Sequence, residues 1–321
     1  MKIGIIGTGK IAHKMARTIH AMGQELYGIA SRDQEKANAF ASEMEVTKAY
    51  GSYKALAEDS HIDLVYIATV HSEHYQNIKL CLDNGQNVLC EKAFTVNARQ
   101  AKEVCALSEK KGLLLSEAIW TRYLPMRKTL EEILQSGIIG QIRMLTANLG
   151  YEVSTVKRIS EPSLAGGALL DVGVYPLNFA LMVLGNDYKS LETHAVMTPS
   201  GVDEQSVTTF FYPDGKMATI ESSSSVATDR RGLIYGTKGY IEVQNLNNPE
   251  VIRIFDTSSV LVNSIVAPKQ LTGFEYEVQA CLDAIGQGKY ECEAMPHDQT
   301  ILVMSIMDEL RSRWGLRYPF E

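Results

Sequence analysis

A chain of 321 residues is too long for one ordinary domain and about right for two. Hydrophobic residues make up 45% and charged residues 21%, the balance of a globular protein rather than a disordered or fibrous one. A net charge of −7 without a basic patch argues against nucleic acid as a partner, and no apolar run is expected to span a membrane.

The first third alternates short apolar runs with helical patterns. Residues 2–6 read as a strand that runs into Gly7-Thr8-Gly9-Lys10-Ile11-Ala12, a G-x-G-x-x-A loop opening a helix over residues 11–22. In that context Gly7 makes the tight turn, Gly9 lets the backbone approach a pyrophosphate, and Ala12 permits close helix–sheet packing. A second strand over residues 26–30 ends in Ser31-Arg32-Asp33, followed by a helix over 34–43. An acidic residue at the end of that strand would bind the ribose hydroxyls of NAD; here Ser31 stands there and Arg32 follows. Asp33 is free to cap the next helix. NADP is therefore the expected cofactor, with Lys10 as a second positive charge and NAD still acceptable.

Residues 63–69 form a third strand ending in Thr69, and 73–84 a helix. Residues 87–90 form a strand that ends abruptly in Glu91-Lys92. Ligands of parallel sheets sit outside the carboxyl ends of the strands, so this Lys is expected to point at the cofactor crevice. A helix over 97–110 and a strand over 113–117 complete an α/β domain, residues 1–120, with a parallel sheet.

Beyond residue 120 the rhythm changes. Helices are predicted over 124–135 and 169–184, with a long strand over 141–153 between them. Further strands follow over 193–197, 206–212, 216–222, 233–235, 240–244, 251–255 and 260–265, and helices over 274–285 and 298–314. Turns such as Pro213-Asp214-Gly215 join successive strands, so residues 121–321 are expected to form an α+β domain with an open, mostly antiparallel sheet. Phe210, Tyr212, Ile220 and Val243 are candidates for an exposed apolar face through which two copies pair. The final helices are expected to return to the first domain.

Within the predicted helix, Asp171 and Tyr175 are four residues apart and would share one face. A Lys, an Asp and a Tyr can make an alcohol-oxidising proton relay. A free Tyr, with pKa near 10, is a poor base until a nearby cation lowers it. Pro176 disturbs this simple helical reading. The five cysteines, Cys81, Cys90, Cys105, Cys281 and Cys292, include no CxxC pair, which fits reduced thiols in a cytoplasm and no zinc site. The opening MKIGIIGTGK lacks the apolar core and cleavage site of a signal peptide.

The segments GTGKIA, CEKA, SEAIWTRYLP and GGALLDVGVYPL together resemble the Gfo/Idh/MocA group (glucose–fructose oxidoreductase, inositol dehydrogenase and rhizopine catabolism), most of all its dimeric dihydrodiol dehydrogenase branch. The resemblance covers essentially the whole chain. It implies a Rossmann domain, an open-faced sheet domain and often a sheet-mediated dimer. The implied activity is NAD(P)-dependent hydride transfer to or from a sugar, polyol or cyclic diol. It places Lys92 as the catalytic cation, Tyr175 as the acid/base and Asp171 beside it. Trp120 and Arg122 border the cofactor and substrate crevice, with Thr69 and His74 beside the nicotinamide. His71 is read as an ordinary helix-start residue. The group usually has Pro after the Lys where this chain has Ala93, so a trans peptide is expected there. A cofactor-sensing regulator on the same fold, as in a fungal galactose-pathway repressor, is the alternative; the intact Lys-Asp-Tyr set favours an enzyme.

Overall fold

The computed structural model describes all residues, 1–321. In chain order its elements begin β1 (Lys2–Ile6), α1 (Lys10–Ala21), β2 (Glu25–Ala30), α2 (Gln34–Glu43), β3 (Lys48–Tyr50), α3 (Tyr53–Ala57), β4 (Leu64–Ile67), α4 (His71–Asp83), β5 (Asn87–Glu91), α5 (Ala98–Lys111) and β6 (Leu115–Ala118). They continue with α6 (Pro125–Gln135), β7 (Ile142–Gly150), α7 (Lys157–Ser160), α8 (Val174–Leu184), β8 (Ser190–Met197), β9 (Asp203–Phe211) and β10 (Met217–Ser223). The last are β11 (Gly232–Gly236), β12 (Gly239–Gln244), β13 (Val251–Asp256), β14 (Leu261–Val266), α9 (Glu275–Gly286) and α10 (His297–Trp314). Two compact units result, Met1–Tyr123 with Gln270–Ser305, and Leu124–Lys269 with Ile306–Glu321.

The first unit is built on a six-stranded parallel sheet of order β3-β2-β1-β4-β5-β6, the doubly wound dinucleotide-binding topology. Its central strands are apolar on both faces, as β4 (Leu64, Val65, Tyr66, Ile67) shows, because helices cover both sides. The helix α1 lays Ala12, Met15, Ala16 and Ile19 onto the sheet. The expected contiguous division at residue 120 is corrected here, since Gln270–Ser305 belongs to this unit. The reason is packing: Phe274, Val278, Cys281, Leu282 and Cys292 share one core with Ile3, Ile5 and Leu64. In this unit β3 and α3 escaped sequence reading, because three and five residues are too few to show a period.

The second unit is an eight-stranded sheet of order β14-β13-β12-β11-β7-β10-β9-β8, antiparallel except where β10 runs parallel to β7. One face is covered by α8, whose residues Val174 to Leu181 are all buried. The stretch Pro162–Leu184 is apolar and long enough to cross a membrane by composition, contrary to expectation, and is mostly buried inside this unit as its core helix. The expected outer face is also reversed. Phe210, Tyr212, Ile220 and Val243 point inward and are buried, while their alternates Met144, Val207 and Met217 are exposed. A strand's two faces differ by one residue of register, and only packing against α8 decided which set went inside.

Candidate active site

The loop after β1 is shaped for close approach by a ligand. Gly7 has φ +104°, and a Cβ there would come within 2.7 Å of the Ala68 carbonyl oxygen, so only glycine fits. At Gly9 an added Cβ would meet nothing within 4 Å, which leaves the loop open on that side. Gly9 begins α1 with no side-chain cap, and the first turn carries no acidic residue. Thr8, Lys10 and Ile11 complete this loop and first turn. Free amides at a positive helix end suit a pyrophosphate. At the end of β2, Ser31 is buried and its hydroxyl accepts the Asp33 N–H at 3.2 Å. Asp33 in turn caps α2, its carboxylate accepting from Glu35 N and Lys36 N. That leaves Arg32, exposed beside Tyr53, as the projecting charge at this strand end. These residues fit a dinucleotide, with a 2′-phosphate favoured over bare ribose hydroxyls.

The ends of β4 and β5 are tied together behind Lys92. His74 on α4 is wholly enclosed, its Nδ1 2.8 Å from the Ala93 carbonyl and its Nε2 3.1 Å from that of Thr69. Burial pushes its pKa down, so the ring is neutral and has one N–H to give. The shorter contact places that N–H on Nδ1, donating to Ala93. His74 therefore fastens the Ala93 end of the Lys92 turn, while its Nε2 only lies against the Thr69 carbonyl, and its ring is enclosed rather than open to solvent. The Thr69 hydroxyl accepts from Asn77 Nδ2 at 3.2 Å. Glu91 is buried; its Oε1 accepts a short bond from the Tyr66 hydroxyl and its Oε2 accepts the Lys92 N–H at 3.2 Å. The Lys92–Ala93 peptide is cis, against the expected trans. Wholly buried Ala93, with its carbonyl bonded to His74, shows tertiary contacts deciding over local preference.

More carboxyls lie below this turn than sequence reading found. Glu117, at the end of β6, is buried, and burial pushes its pKa up to about 7. Neither of its oxygens has a hydrogen-bond partner of good geometry; Thr300, Arg122 and the Phe94 amide lie close enough to offset only part of the burial. Glu277, on α9, is held well above the carboxylate range by burial, with negative Glu91 and Cys292 adding to it, and its oxygens also lack partners. Only the returning segment brings Glu277 here, so no local pattern marked it. Trp120 stacks on Phe274, centroids 4.6 Å apart, and its buried indole N–H has no partner. Arg122 is buried near Glu117.

In the second unit, Asp171 and Tyr175 do not share a simple α-helical face. Asp171 lies in a widened π-helical turn, Leu169–Gly173, and Tyr175 in the first turn of α8. Such turns recur at functional sites. Pro176 also sits in that first turn, where proline is tolerated. Both Asp171 and Tyr175 are buried. Asp171 Oδ1 accepts from Arg158 Nη1 at 2.6 Å. Arg158, on the one-turn helix α7 and half-exposed, was missed because nothing in the sequence ties it to a residue thirteen positions on.

Residues 1–119 match a family profile described as "Oxidoreductase family, NAD-binding Rossmann fold", and residues 128–242 match the "GFO/IDH/MocA C-terminal domain". The chain is 32% identical over 334 residues to trans-1,2-dihydrobenzene-1,2-diol dehydrogenase of Xenopus tropicalis, covering 99% of both chains. It is 29% identical over 328 residues to the Homo sapiens enzyme of that name, covering 99% of this chain and 98% of the other. Among solved structures, a 3-ketoreductase from Actinomadura kijaniata, in complex with NADP and TDP-benzene, superposes with TM-score 0.87 at 26% identity over 97% of both chains. The aldose-aldose oxidoreductase of Caulobacter crescentus shares the fold, with TM-score 0.87 at 20% identity over 97% of this chain and 96% of that one.

Proposed function

The chain belongs to the Gfo/Idh/MocA oxidoreductase family, and from that membership we propose its reaction. It is an NAD(P)-dependent oxidoreductase of diol or sugar substrates. The reaction moves hydride between NADP(H) and a secondary alcohol, or the matching ketone, of a cyclic diol, polyol or sugar. The single observation that carries this is the loop after β1, where only glycine fits at Gly7 and the backbone is open at Gly9.

A nicotinamide bound here would supply or accept the hydride. The chain's own residues do the rest. The Gly7–Ile11 loop and first turn of α1 would hold the pyrophosphate, and Ser31 and Arg32 would take the adenosine ribose. Thr69, Glu91, Trp120 and Arg122 are assigned to the cofactor side. His74 and Glu91 hold the turn on which Lys92 sits, so Lys92 presents its cation from a fixed backbone. Tyr175 moves the hydroxyl proton, and Asp171 orients that step while bound to Arg158. The cytoplasm is the proposed compartment. All five cysteines are free and buried, and Cys281 and Cys292 stay unbonded with sulfurs 3.8 Å apart, which supports a reducing environment.

The test is a screen of cyclic diols, polyols and sugars with NADP and NAD in parallel, followed by absorbance of the reduced cofactor. Turnover of a diol or sugar is the expected result; cofactor binding with no turnover of any class would favour the sensor reading. In the same assay wild type should prefer NADP(H), and Arg32→Ala should weaken NADPH binding by roughly ten- to a hundredfold, since a phosphate–Arg contact contributes about 1.5–3 kcal/mol. Tighter NADH than NADPH binding by wild type would remove the assignment.

The assembly proposed is a homodimer built on the open face of the second unit's sheet. Exposed Met144, Val207 and Met217 lie on that face, beside Tyr240 stacked on Phe255 at 4.7 Å. Apolar surface of this kind is uncommon on a monomer. Light scattering at micromolar concentration should give twice the 35.5 kDa of one chain, and Val207→Glu should shift it to one. A single-chain mass for wild type would end the dimer.

A further inference from the structure

Asp203 is the first residue of β9 and is wholly buried; its backbone pairs opposite Met197, but its side chain bonds outside the sheet. Its Oδ2 accepts the Leu169 N–H at 2.6 Å, a short, charge-assisted bond to the start of the turn that holds Asp171. The Ala168 N–H also favours its charged form. The double glycine of Gly166-Gly167-Ala168-Leu169-Leu170-Asp171 makes room for this. Gly167 has φ +113°, and a Cβ there would lie 2.1 Å from Asp203 Oδ1. Gly167 N in turn donates to the Ile159 carbonyl at 2.8 Å, and the Tyr318 hydroxyl donates to the Gly166 carbonyl at 2.7 Å. The backbone is thus pinned on both sides of the carboxylate.

We propose that Asp203 is a positioning residue: its ionised carboxylate anchors the start of the helix that presents Asp171 and Tyr175, and turnover requires that charge. The proposal rests on the oxidoreductase reading above. The charged and titratable groups around it are Arg311 of α10 and Tyr318 of the terminal tail, with Asp308 and Glu321 behind them. Arg311 favours the charged form, but its guanidinium is held by Glu321 at 2.7 Å and Asp308 at 2.8 Å. Burial outweighs these helpers and pushes the Asp203 carboxyl up to about 6. The sign for stability follows. A carboxyl raised by folding favours the folded state below the ordinary Asp range, and that contribution is lost as pH rises through about 6. At pH 8 the charge opposes folding, so its presence is explained by the alignment of the helix rather than by stability.

Asp203→Asn keeps the shape and one acceptor for Leu169 but removes the charge. Its Tm at pH 8 should equal or exceed that of wild type, and NADPH should bind within about twofold. Its kcat should fall about ten- to a hundredfold, as small misalignments of catalytic groups do, with KM moving less. Wild-type kcat should fall on the acid side with a midpoint near pH 6, and that limb should vanish in Asp203→Asn. A merely structural cap would lower Tm and leave the limb in place. Unchanged kcat in the variant at pH 8, a limb it retains, or a wild-type kcat flat from pH 5 to 7 would each overturn the proposal. If the variant fails to fold, protection of the Leu169 amide in wild type decides, because Glu117, raised to about 7, could also give an acid limb. If no substrate turns over, the oxidoreductase reading fails, and hydrogen exchange decides this one separately. After correction for intrinsic rates, protection of the Leu169 amide should weaken in wild type as pH falls through 6; unchanged protection would overturn it.

Discussion

Tyr175→Phe should lower kcat by about two to four powers of ten, the range for a lost general acid/base, and leave NADPH binding nearly unchanged. The substitution removes one oxygen and keeps the ring. Tyr175 is buried in the first turn of α8 among Val174, Pro176 and Leu177, so Phe fills the same space and the helix start stays packed. Asp171 keeps its ion pair with Arg158 at 2.6 Å. The nucleotide loop belongs to the other unit and is untouched. Loss therefore falls on the chemical step, and KM for the true substrate should move far less than kcat. Turnover within tenfold of wild type, on that substrate, would take the proton-transfer role away from Tyr175.

What could be read in the sequence was what local pattern encodes. The strand–loop–helix at Gly7-Thr8-Gly9 is a local device, because a tight turn, an open backbone and a helix end are consecutive, and the structure keeps all three. Asp33 as the cap of α2 was legible for the same reason. What failed was whatever distant packing decides. The inner and outer sets of the second sheet, Phe210 and Ile220 against Val207 and Met217, alternate identically in sequence, and only α8 distinguishes them. The return of a late helix to the first unit was expected, but that it would bring a buried carboxyl, Glu277, with it was not. Asp203 and Arg158 act on the Asp171 turn from 32 and 13 positions away, with no motif of their own. The turn itself widened to π-helical geometry, which no α-helical period anticipates.

Lys92→Met should be as damaging as the tyrosine change, about two to four powers of ten in kcat, with NADPH bound within a few-fold of wild type. Methionine keeps the long unbranched stem and removes the cation, so packing of the stem is conserved while the charge is deleted. The surroundings show a backbone built to hold one residue still. Glu91 Oε2 accepts the Lys92 N–H, Tyr66 fixes the other oxygen of Glu91, and His74 anchors the Ala93 carbonyl that follows. None of these bonds uses the ammonium group, so all survive in the variant. A backbone held this firmly at the carboxyl end of a parallel strand places its side chain for ligand chemistry. Lys92→Arg should recover only part of the lost rate, because a planar guanidinium carries the charge but not the compact shape of an ammonium. Full activity in Lys92→Met would show that the turn serves the fold alone; an inactive variant that has also lost NADPH binding would move Lys92 from the chemical step to the cofactor site.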